Sequence, residues 1–139
     1  MKRSAVALMM LASFVITYWL SMTLLLRANA TDNANKLYQA LLMAAWMGLI
    51  MALLDSDWAL ALPLGAATLL LSLAVRQQWG VDERQFAQSM IEHHSMAIDM
   101  TTLALPKLRD PALRSVAANV LRSQQEEIEI MRGALERLR

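Results

Sequence analysis

Three long stretches without a charged residue constrain the first half of this chain: Ser4 to Leu26 (23 residues), Leu37 to Leu54 (18 residues) and Trp58 to Val75 (18 residues). At about 1.5 Å of rise per residue, a helix of each length reaches across a hydrocarbon core of roughly 30 Å. The expected architecture is therefore all-α, opening with three transmembrane helices at about 4–26, 37–54 and 58–76. Residues 1–80 form the membrane anchor, in contact with lipid.

Lys2 and Arg3 precede the first apolar run and Ala28-Asn29-Ala30 follows it, which is also the layout of a secretory signal cleaved after Ala30. The run is far longer than the usual signal core, and Arg27 stands where a stop-transfer charge would end a spanning helix, so a retained anchor is expected. No charge lies inside the three runs, which gives no sign of an ion pathway or proton relay. Met43, Met47 and Met51 recur every four residues on the second run, a spacing that places them on one helix face as gap-filling side chains between packed helices.

Beyond Gly80 the composition changes abruptly. Residues 81–139 hold eight Lys/Arg and nine Asp/Glu, for a net charge of −1, and their hydrophobicity is periodic rather than continuous. Charge of both signs, interspersed, leaves no basic face to neutralise phosphates, so nucleic-acid binding is not expected. The chain has no cysteine, which excludes disulfides, iron–sulfur clusters and thiolate metal sites.

Asp82, with Gln85 three residues on, reads as a helix N-cap, and the apolar period then runs to Leu105 and Pro106. Asp110 with Pro111 opens a second helix that continues through Leu138. A connection of about Pro106 to Arg109 forces an antiparallel hairpin. A 4,3,4,3 spacing places Phe86, Met90, His93, Ala97, Met100 and Ala104 on the seam of the first helix. On the second it selects Leu113, Ala117, Val120, Gln124, Glu127, Met131, Ala134 and Leu138. A second stripe, Ile91, Ile98 and Leu105 with Leu121, Ile128 and Leu135, then needs a cover, and a homodimer completing a four-helix bundle is expected to supply it.

Both histidines of the chain, His93 and His94, stand among Met90, Met96 and Met100. Thioether and imidazole groups together suit a soft transition metal, whereas a plain seam would be filled by Leu, Ile and Ala. The antiparallel pairing brings this run toward Glu127 and Met131, so the expected metal ligands are Met90, His93, His94, Met96, Met100, Glu127 and Met131, and the expected metal is Cu(I). Zinc sites use Cys, His and carboxylate but not thioether.

Phe86, Met90-Ile91-x-His93-His94, Ala97-Ile98-Asp99-Met100, Gln125-x-Glu127-Ile128 and Met131 resemble the domain of unknown function family 305 over about residues 82 to 138. That resemblance implies a ferritin-like helical fold in an exported or membrane-anchored protein, and an association with copper binding and tolerance through Met and His side chains. Met96 and Pro106 depart from the usual pattern.

No reaction is expected. Neither Glu92 nor Glu127 has a His three residues later, as di-iron catalysis requires, and there is no His-Glu-x-x-His motif or Gly-rich phosphate loop. Ser95 lacks any recognisable orienting partner in the sequence. The expected function is a membrane-anchored Cu(I) binder in metal homeostasis or tolerance, with a metal transporter or metallochaperone as partner. The alternative is a non-metal helical module that dimerises or docks to a membrane partner. The protein is expected in the cell inner membrane, with its soluble domain on the extracytoplasmic side.

Overall fold

A computed structural model describes residues 3–20 and 30–138. It contains five α-helices, and no strand among the described residues: α1 (Arg3–Leu20), α2 (Ala34–Leu54), α3 (Trp58–Gln77), α4 (Glu83–Ala104) and α5 (Pro111–Arg137), with a 3₁₀ turn at Leu105–Lys107 between the last two. They form two compact units, one of α1, α2 and α3 and one of α4 and α5 joined by the segment leading to Asn33.

In the first unit α2 packs against both α1 and α3. Its interior positions are small: Ala40, Ala44, Ala45, Gly48 and Ala52 are buried, and they meet Ala61, Thr68 and Ala74 of α3. Small residues at a spacing of four let helix backbones approach closely. A Cβ added at Gly48 would stand 2.4 Å from Met10 Sδ and 3.1 Å from Leu64 Cδ1, so α1 and α3 both crowd α2 there. Arg3 donates two hydrogen bonds to the Asp57 carboxylate, at 2.8 and 2.9 Å, tying the start of α1 to the α2–α3 turn. At the other end of the unit the Tyr38 hydroxyl donates to the Trp79 carbonyl (2.7 Å), and Lys36 sits over the Tyr18 ring.

Among the described residues two helices are long and apolar enough to cross a membrane, Ala34–Leu54 and Trp58–Gln77, where three are expected. The first falls short because its apolar part, Arg3–Trp19, extends for only roughly 25 Å at 1.5 Å per residue. The remainder of the expected 4–26 span lies outside the described residues, as do Ala28 and Asn29 of the Ala28-Asn29-Ala30 motif.

The second unit is a helical hairpin with local punctuation at each start. Asp82 accepts a hydrogen bond from the Gln85 amide (2.7 Å) and Asp110 one from the Leu113 amide (3.0 Å), each satisfying a donor that the first helical turn leaves open. Pro111 occupies the first turn of α5, where its missing N–H costs nothing.

The seam between the two helices is not the 4,3,4,3 seam expected. Ala87, Ile91, His94 and Ser95 are the buried residues of α4 that face inward, and Ala117 and Ile128 are those of α5, whereas Phe86, His93, Met100, Leu113 and Glu127 are exposed. Ile91 and Ile128, from the stripe expected to await a partner, are buried between the helices together with Ala117 of the expected seam. Ile91 and Ile128 make the apolar contact, and Glu127 stays at the rim, where its carboxylate keeps contact with water.

Candidate metal-binding cleft

The rotation of α4 by about one residue exchanges the roles of the two histidines. His93 turns to the surface, its ring centroid 5.9 Å from that of His94 and edge-on to it. His94 turns inward, with only 7% of its side chain exposed, and its Nε2 lies 2.5 Å from Glu127 Oε2. The Glu127 side chain is 51% exposed, so the carboxylate reaches in from the rim rather than from the core.

These two residues form one end of a cavity of about 200 Å³ lined by Phe86, Met90, His94, Glu127, Ile130 and Met131. Of the seven residues expected as ligands, the hairpin thus gathers Met90, His94, Glu127 and Met131 around a single space. His93, Met96 and Met100 do not line it, and Met100 is 52% exposed. The gathering follows from antiparallel pairing: the first half of α4 runs beside the second half of α5, so positions 90 and 94 meet positions 127 and 131, which share one face at i and i+4 spacing.

The contact between His94 and Glu127 decides which imidazole nitrogen is basic. With the carboxylate ionised, the shared proton belongs to Nε2, which donates, and the lone pair is left on Nδ1. That atom is buried and has no hydrogen-bond partner among the described residues. The side chains around the cleft are then two thioethers, an imidazole and the carboxylate that orients it. Among the described residues no three His, Cys, Asp or Glu side chains come together as a ligand group, so a zinc or hard-cation site of the usual kind is not assembled here.

A second polar feature was not legible beforehand. Glu92, one residue before the His pair, is 1% exposed, and its Oε2 accepts a hydrogen bond from Asn33 Nδ2 at 2.7 Å. The same amide reaches Thr31 Oγ1, whose hydroxyl donates to the Gln88 carbonyl (3.1 Å). The segment ending at Asn33 therefore lies along α4 and fixes its rotation, which in turn fixes His94 inward. The partners are 59 residues apart in sequence, and no local pattern announces them. The Ser95 hydroxyl is buried without a hydrogen-bond partner among the described residues.

Comparison with known proteins agrees with the sequence motif. Residues 83–139 match the family described as "Domain of unknown function (DUF305)". The chain is also 33% identical over 146 aligned positions to a protein of Acanthamoeba polyphaga mimivirus described as "Uncharacterized protein L153", covering 98% of this chain and 94% of that one. This chain belongs to the DUF305 family. The likeness to the mimivirus protein runs through the apolar first unit as well as the hairpin. No solved structure matches this chain.

Proposed function

We propose that this DUF305 protein is a membrane-anchored Cu(I)-binding protein of metal homeostasis, with the cleft between α4 and α5 as its site. The observation that carries the reading is the convergence of Met90 and Met131 on the buried imidazole of His94 in one cavity. Leu at positions 90 and 131 would fill that space as well as Met does, and thioether sulfur adds affinity only for a soft ion. Met90, Met131 and His94 would hold the ion, and Glu127 would keep Nε2–H of His94 occupied so that the ring presents one nitrogen. In this reading the residues of the cleft bind and orient, and the role is binding rather than turnover.

The first unit is the anchor. Leu8, Leu11, Ile50, Leu54, Leu62 and Leu69 all face outward, an apolar exterior that water does not tolerate and lipid does. Trp19, Trp58 and Trp79 are exposed near the helix ends, where amphipathic rings favour the membrane–water boundary. With the first apolar run also crossing, as the sequence predicts, the hairpin falls on the extracytoplasmic side and Lys2 and Arg3 stay inside. A Cys-free thioether site suits a compartment that oxidises thiols.

X-ray absorption of the detergent-purified full chain loaded anaerobically with Cu(I) tests this reading. Because the chain has no cysteine, any copper–sulfur scattering comes from methionine. Copper–sulfur scattering together with one imidazole is expected; a coordination shell of nitrogen and oxygen alone refutes the assignment.

A further inference from the structure

The hairpin consumes its aliphatic stripe internally and still leaves a long apolar face uncovered. Phe86 and Met100 on α4, with Leu113, Val116, Ile130 and Leu138 on α5, are each between 41% and 68% exposed. At 100° per residue the α4 pair falls on one flank of its helix and the α5 group on one flank of its own. The cleft joins the two flanks, since Phe86 and Met90 line it together with Ile130 and Met131. The face is thus continuous across both helices, and the cleft opens onto it.

We infer that a second copy of this chain docks on this face, the two hairpins stacking as a four-helix bundle with the His94–Glu127 cleft enclosed at their interface. Six side chains this exposed carry on the order of 100 Å² of apolar surface each, and the half-buried Met90, Ala97, Val120 and Ala134 fill the gaps between them. The total approaches the ~800 Å² per partner that a standard stable interface removes from water. Two helices cannot enclose a core by themselves, and four can.

Charge argues against a lipid surface as the occupant. An amphipathic helix that lies on a membrane carries Lys and Arg along its polar side and no acid within its apolar face. Here Glu127 stands inside the face, and Arg114, Arg122 and Arg132 lie on the far side of α5. Burial of Glu127 against hydrocarbon would leave it no partner beyond His94 and cost several kcal/mol, whereas a protein interface can supply further hydrogen-bond donors.

The docking does not depend on copper, so the test is run on the full chain in detergent micelles with a chelator present. Light scattering, with detergent mass subtracted, is expected to give twice the chain mass for the wild type. The double variant Val116→Glu/Ile130→Glu should give the single chain mass with unchanged helical circular dichroism. Since the chain lacks cysteine, Ile130→Cys and Val116→Cys treated with a short bis-maleimide should cross-link at least tenfold more than Ser115→Cys and Gln125→Cys on the opposite side. A single-chain wild type, equal cross-linking from both sides, or quenching of a fluorophore at position 130 by brominated lipid in nanodiscs overturns the inference. A dimer that fails to bind copper removes only the proposed function, and a monomer that binds it removes only the dimer.

Discussion

Replacing Ile128 by Ala tests which stripe holds the hairpin together, and hence which histidine faces inward. Ile128 is 2% exposed in the seam between α4 and α5. Removing its three outer carbons costs about 2.5 kcal/mol in lost transfer energy at ~0.8 kcal/mol per methylene, and the unfilled space adds about 1 kcal/mol more. Hydrogen exchange resolved by peptide reads this locally, because amides in α4 and α5 exchange through opening of the hairpin. A loss of about 3.5 kcal/mol corresponds to exchange on the order of several hundredfold faster in both helices. The comparison is His93→Ala, which removes an exposed side chain and is expected to change stability by less than about 0.5 kcal/mol. Both are measured at high dilution, so that only intramolecular packing is read. The reasoning fails if His93→Ala accelerates exchange strongly while Ile128→Ala leaves it unchanged, since the 4,3,4,3 seam would then be the buried one.

Two further expectations concern the first unit. Gly48→Leu should destabilise it by about 2–3 kcal/mol in detergent-resistance or thermal unfolding, because the new side chain collides with Met10 and Leu64; adding Met10→Ala should restore at least ~1 kcal/mol, and strict additivity of the two would count against the helix crossing. The Arg3 guanidinium, by hydrogen-bonding Asp57, holds that carboxyl below the ordinary carboxylate range against a smaller opposing effect of desolvation. A lowered folded value means the stabilisation is present above about pH 4, the unfolded value, and fades as pH falls below it through the folded value. The difference in melting temperature between wild type and Arg3→Gln should therefore hold from pH 7 to about 4 and shrink from there toward pH 2; a difference that grows on acidification contradicts the pairing.

Local chemistry was legible in the sequence, and rotation was not. Asp82 and Asp110 announce their helices because a cap acts within three residues, and Pro111 and the short turn fix the hairpin for the same reason. The apolar runs announce helices of spanning character, but only two reach spanning length among the described residues. The seam was misread because α4 and α5 each carry two apolar stripes, and heptad counting cannot rank a stripe of Phe, Met and Ala against one of Ile and Leu. Packing ranks them, by leaving Glu127 at the rim and by the hydrogen bond from Asn33 to Glu92, a contact across 59 positions. The ligand types were visible from the start; their division into Met90, His94, Glu127 and Met131 within the cleft and His93, Met96 and Met100 outside it depends on that rotation.

That division is also the most direct test of the account. Two triple variants of the full chain are compared with wild type by anaerobic competition for Cu(I) against bicinchoninate: Met90→Leu/His94→Ala/Met131→Leu, within the cleft, and His93→Ala/Met96→Leu/Met100→Leu, outside it. The first is expected to weaken binding at least a hundredfold, about 2.7 kcal/mol, and the second by less than threefold. Equal affinity in all three proteins, or a loss confined to the second variant, contradicts the assignment of the cleft as the copper site.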